Sequence, residues 1–176
     1  MRLARESGTT HVPVTVWNAW GKPVGAYLVH MLRHLGYQAT LRDASSDQIF
    51  AAASNSRRKI QLGPIGWEPD IPSPSDFFLP VLTCRSFYQD PTSTWNLAEF
   101  CNRHADKLAS EAQAAQQTDP AAARRLWAQV DRVVTDQAPW VPVFNRSEAW
   151  FVSARVRNCQ ESPYYFGPLL DQMWVR

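Results

Sequence analysis

Between Val12 and Ile65 the apolar residues alternate between short strand-like runs and helical stripes. Val12-Pro13-Val14-Thr15-Val16-Trp17 is apolar and β-branched, which predicts a strand. Asn18, Gly21 and Pro23 end it in a turn that opens a helix with proline in its first turn. Tyr27, Leu28, Met31, Leu32 and Leu35 then follow helical spacing, and Gly36 stops the helix. Gln38 to Arg42 reads as a second strand, Ser45 or Ser46 can cap a helix through Ala53, and Ile60 to Ile65 reads as a third strand. The order β-α-β-α-β predicts an α/β fold in which these three strands neighbour one another in a mostly parallel sheet flanked by helices. Ligands of such sheets sit beyond the C-terminal strand ends, the edge on which Asn18, Trp20, Trp67 and Asp70 all fall. Trp20 and Trp67 could wall a cleft there, whereas strand alternation assigns Trp17 to the core.

The loop after the third strand, Gly66-Trp67-Glu68-Pro69-Asp70, is rigid and polar, and beyond it the pattern turns helical. A short helix is expected over Phe77 to Leu82, a polar loop over Phe87 to Asn96, and a helix from about Leu97 to Ala115. Asp119-Pro120 is a strong helix start, and Leu126, Trp127, Val130, Val133 and Val134 give that helix one apolar face before Pro139 ends it. Trp140 to Asn145 and Ala149 to Val152 read as strands.

At 176 residues one core of useful size can form. A net charge of +2 gives no electrostatic argument for nucleic acid or an anionic membrane. The 8 tryptophans suit an aromatic-lined pocket, an interface or simply a core. No stretch approaches the ~20 apolar residues of a membrane helix, and Met1 to Val12 lacks the apolar centre of a signal peptide. Enzyme chemistry finds little support: His30 and His34 have a spacing that can hold a metal but no accompanying carboxylate, and no nucleotide-binding or nucleophile-elbow motif is present. Cys84 with His104 could imitate a thiol nucleophile and its base. The cysteines Cys84, Cys101 and Cys159 allow three single bridges.

Several of these segments together resemble family 5 of the extracellular solute-binding proteins, the peptide, dipeptide and nickel receptors of ABC importers. The resemblance rests on Gly66, Trp67, Asp70, Pro74, Asp76, Phe77 and Phe78, on Cys84 followed by Cys101, on Gln137-Ala138-Pro139 before an apolar run, and on Ser153-Ala154-Arg155-Val156. It implies a type II periplasmic-binding-protein-like lobe, with residues 1–11 as a tail, 12–139 as the second lobe, and 140–176 returning toward a missing first lobe. It also implies a Cys84–Cys101 disulfide, with Cys159 unpaired. Asp70 would meet a ligand ammonium, a pairing strengthened in a partly dry cleft; the alternative is a turn aspartate bonded to its own backbone. The sequence has Asp70-Ile71 where the family commonly has Asp-Tyr.

The expected function is non-catalytic and cofactor-free: capture of an oligopeptide, dipeptide or similar solute and its delivery to an ABC permease. The rival is a receptor-like sensor or protein-interaction module. The resemblance further implies a C-terminal fragment or truncated reading frame of a periplasmic or extracellular protein, membrane-associated as a lipoprotein in full-length form. An exposed lobe interface could then support self-association.

Overall fold

Strand β1 (Pro13–Asn18) pairs in parallel with β2 (Gln38–Asp43), from Pro13 opposite Gln38 to Asn18 opposite Asp43, and helix α2 (Lys22–His34) connects them. The computed structural model that shows this describes residues 2–88, 92–145, 149–162 and 167–176. Pro23 lies in the first turn of α2, where its missing N–H costs no intrahelical bond. Gly36, at φ 101°, takes the left-handed conformation that turns the chain into β2.

Val16, Val29 and Ala39 form the core of this βαβ unit, with Leu28, Leu32 and Leu62 packed against it. The buried stripe of α2 therefore runs through Gly25, Leu28, Val29 and Leu32. Tyr27 and Met31, expected on that face, are exposed because they lie roughly 110–150° around the helix from its centre. Trp17 is a second correction. It lies half-buried with the Arg42 guanidinium 4.0 Å above its ring, while its neighbour Val16 fills the core.

The third strand is reduced to a single parallel bridge between Leu62 and Val16, with the Trp17 N–H donating to Leu62 O at 3.0 Å. Beside it the side chain of Gln61 stands in for a backbone ladder, accepting from Thr15 N–H and donating to Pro13 O, both at 2.9 Å. Gly63 and Pro64 end the pairing at once, since proline has no donor to give. The expected neighbours are thus in place, with β1 between β2 and Leu62.

Helix α3 (Ser46–Ala53) begins with a reciprocal cap: Gln48 N–H donates to Ser45 Oγ at 3.2 Å, and Ser45 N–H donates to Gln48 Oε1 at 3.0 Å. Residues 1–11, expected as a tail, contain helix α1 (Arg2–Glu6), and His11 N–H donates to Gly36 O at 2.7 Å.

The chain divides into two compact units, residues 1–67 with 80–103 and residues 68–79 with 104–176. Further along lie α4 (Pro74–Val81), α5 (Cys84–Tyr88), α6 (Arg103–Ala115) and α7 (Pro120–Gln137). Helix α6 starts six residues later than expected, because Asn96 holds the chain between it and Phe100 in a hydrogen-bonded turn. Part of the expected loop from Phe87 to Asn96 lies outside the described residues.

In the second unit, Phe78 stacks on Trp127 at 5.8 Å and Phe77 meets Trp140 edge-on at 5.8 Å, so the Phe pair serves as packing. Asp119 Oδ1 accepts from Ala122 N–H at 2.9 Å and caps α7 as expected. Trp127, Val130 and Val134 are buried on its apolar face, and Leu126 and Val133 are half-buried at its margin.

The strands expected over Trp140–Asn145 and Ala149–Val152 do not form among the described residues. Val141, Val143, Phe144, Trp150, Phe151 and Val152 are instead exposed. An apolar run becomes a strand only where another strand supplies the ladder, and none runs alongside it here among the described residues. Among the described residues, the last part of the chain carries two small antiparallel pairs, β3 (Val156–Arg157) with β6 (Trp174–Val175) and β4 (Glu161–Ser162) with β5 (Gly167–Pro168).

Candidate ligand-binding site

The C-terminal end of β1 is built around Asn18, which is buried. Its Nδ2 donates to Asp43 Oδ1 at 2.9 Å and to Gly21 O at 3.2 Å, and its Oδ1 accepts from Trp20 N–H at 3.3 Å. One amide thus joins the strand end, the turn and the end of β2. Both of its faces are occupied, so Asn18 shapes the turn that carries the half-buried Trp20.

Trp67, also half-buried, meets Trp95 edge-on with ring centroids 5.7 Å apart, and Trp95 leans on Phe50 at 4.7 Å. Trp95 and Phe50 were not legible as site residues. Trp95 sits in a stretch read as a polar loop, 28 positions from Trp67 in the chain, and no periodicity links the two.

The footing of Trp95 is polar and covalent. Cys84, the first residue of α5, is bonded to Cys101 just before α6, with the Cα atoms 4.2 Å apart, which is the expected pairing. Within this loop Asn96 is fully buried; its Nδ2 donates to Thr83 O at 2.9 Å and Phe100 O at 2.7 Å, and its Oδ1 accepts from Phe100 N–H at 3.0 Å. On the other side of Trp95, buried Thr94 donates through Oγ1 to Ser86 O at 2.7 Å and through its N–H to Ser54 O at 3.0 Å. Buried polar groups that are fully paired fix one backbone path. With Cys84 committed to the disulfide, no thiol remains there to act as a nucleophile, and Cys159 is free and exposed.

Asp70 belongs to the other compact unit and is described within it. Its side chain is exposed, and its carboxylate has no hydrogen-bond or ion-pair partner among the described residues. The turn is closed by a different carboxylate: the Asp70 N–H donates to Asp76 Oδ2 at 2.5 Å. Ser73, just ahead of α4, accepts from Ser75 N–H at 3.4 Å and from Gln116 Nε2 at 3.1 Å, tying the loop to the end of α6. Asp70 therefore presents an anionic acceptor to solvent on a backbone held by its neighbours.

His30 and His34 are exposed on α2. Among the described residues no group of 3 or more His, Cys, Asp or Glu side chains could hold a metal. No described helix is long and apolar enough to cross a membrane.

No protein-family model matches the chain. It is 26% identical over 149 residues to di/tripeptide-binding protein 4 of Pseudomonas aeruginosa, covering 80% of this chain and 26% of that protein. It is 29% identical over 117 residues to heme-binding protein A of Haemophilus influenzae, covering 64% of this chain and 20% of that protein. Among solved structures it is similar to clavulanic acid biosynthesis oligopeptide binding protein 2, with a TM-score of 0.85 at 22% identity over 98% of this chain and 32% of the other. It is also similar to the dipeptide binding protein of Pseudoalteromonas sp. SM9913, solved with Met-Leu, with a TM-score of 0.76 at 18% identity over 99% of this chain and 34% of the other. The chain spans about a quarter of the length of the curated relatives it matches. The resemblance drawn from the motifs is met by these relatives, and the fold is periplasmic-binding-protein-like.

Proposed function

We propose that this chain, a homologue of di/tripeptide-binding proteins, is the second-lobe part of a peptide receptor that serves an ABC permease, with residues 12–139 in the lobe and 140–176 returning toward a first lobe. Its role is reversible capture without catalysis, in the periplasm or outside the cell, with a lipid anchor on the full-length protein. The observation that carries the reading is the exposed Asp70 carboxylate, left without a partner among the described residues while Asp76 closes the turn. An anion on a fixed backbone suits the α-ammonium of a short peptide. Closure of the first lobe over it would remove water and strengthen that pair. Within the other compact unit, Trp20 and Trp67 are the candidate apolar contacts for ligand, and Asn18 sets the position of Trp20 through the turn.

The test is calorimetry with a dipeptide on a receptor that carries this chain behind a first lobe. Asp70→Ala is expected to weaken binding roughly 10- to 100-fold, the size of a lost charge-assisted hydrogen bond. N-acetylation of the peptide should cost a similar factor in the unaltered receptor and little in the variant. Equal affinity of the variant and the unaltered receptor for the free-amine peptide would place the ammonium elsewhere.

A further inference from the structure

Trp95 is a large apolar side chain that the fold holds out toward solvent at 56% exposure, between two residues it buries almost completely, Thr94 at 3% and Asn96 at 0%. A side chain exposed by a slack loop would have a loosely bonded backbone. Here the residue on each side is anchored by its own buried polar group, Thr94 to Ser86 O and Ser54 O, and Asn96 to Thr83 O and Phe100 O. The Cys84–Cys101 bond closes the same loop. The exposure is thus built in, and one part of the ring is already engaged, edge-on to Trp67 and tilted on Phe50.

From this we propose that Trp95 is a specificity-determining residue that selects peptides bearing an aromatic or large aliphatic side chain. The proposal rests on the peptide-receptor reading and deepens it by naming the ligand class. Three rings set at interplanar angles of 48° and 75° form a stepped apolar surface rather than a flat patch. A planar or branched side chain entering the step can stack on Trp95 while meeting the neighbouring ring at its edge or face, the arrangements aromatic pairs favour. The occupant follows from continuity: the step includes Trp67, on the irregular segment by which the chain leaves the sheet after the Leu62 bridge, and ligands of such folds are held beyond the strand ends. A glycine or alanine side chain reaches none of this surface.

The experiment follows tryptophan indole N–H signals of the whole chain by nitrogen-15 NMR during titration to millimolar Gly-Phe, Gly-Leu and Gly-Gly. The Trp95 signal is identified by its loss in Trp95→Phe. It is expected to shift saturably with Gly-Phe and Gly-Leu, with affinities about fivefold or more above that for Gly-Gly, the scale of one aromatic contact with its buried area. In Trp95→Ala the ratio of Gly-Phe to Gly-Gly affinity should fall close to one, and Trp95→Phe should keep most of it. An unchanged ratio in Trp95→Ala, or peptide binding that leaves the Trp95 signal still, overturns the proposal alone. No response to any peptide, in this chain or behind a first lobe, overturns it together with the peptide-receptor reading.

Discussion

A methyl group added at Gly25 would lie 2.7 Å from Leu41 Cδ1 and 2.8 Å from the amide of Asn18, closer than packed carbon atoms come. Asn18 has no freedom to withdraw, since three hydrogen bonds hold it. Gly25→Ala should gain about 1 kcal/mol of helix propensity, yet overpacking a tight site costs about 1–3 kcal/mol and the Asn18 turn would be pulled apart as well. The expected net effect is a loss of about 1–2 kcal/mol in urea unfolding. Gly66→Ala, with no atom within 4 Å of the added methyl, should be near neutral. A gain of stability in Gly25→Ala would show that the contact between α2 and the end of β1 is looser than described. Individual residues of the site were legible only in part. Asp70 and Trp67 stood out because a turn signal and a strand end flank them in the sequence. The inward-facing role of Asn18 depends on Asp43, 25 positions away, and Trp95 is joined to Trp67 and Phe50 only by the folded path. Contacts of that kind leave no local pattern to read.

Elements were legible where the cause is local. The caps at Ser45 and Asp119, the proline-led start of α2 and the turn at Gly36 depend on a few neighbouring residues, and each stands where the sequence placed it. The third strand and the start of α6 were misjudged because side chains replace the expected backbone pairing and reach distant partners, Gln61 to Pro13 and Thr15 in one case and Asn96 to Thr83 as well as Phe100 in the other. Two measurable consequences belong at this scale. Helix α7 ends with Ala138 at φ 47°, a left-handed conformation in which glycine carries no side-chain clash. Ala138→Gly should therefore raise stability by about 0.5–1 kcal/mol, the left-handed cost less the extra chain entropy of glycine; a lower unfolding midpoint would contradict this. The disulfide closes a loop with a sequence separation of 17, for which loop-closure entropy predicts a contribution of about 3 kcal/mol. Joint replacement of Cys84 and Cys101 by serine should lower the urea midpoint accordingly, and an unchanged midpoint would remove the loop's covalent anchor from the account.

For the whole molecule the informative feature is an exposed apolar stretch near the C-terminal end of the described chain. Val141, Val143, Phe144, Trp150, Phe151 and Val152 are exposed within 12 consecutive positions, more apolar side chains than an isolated soluble surface ordinarily leaves in one stretch. The β-like composition of this stretch was legible, but no partner strand was; on the proposed reading, the ladder would come from a first lobe. Binding is affected on that reading too. One lobe contacts a ligand on one side only, so its few polar and aromatic contacts must overcome the association entropy by themselves. The most direct measurement is calorimetric titration of a di- and tripeptide mixture into this chain alone and into the chain placed behind a first lobe. The account predicts little heat from the chain alone, whose binding is weak enough to need millimolar peptide, and tighter saturable binding once the first lobe is present. Tight, saturable binding by the chain alone, or none in the two-lobe form, would contradict it.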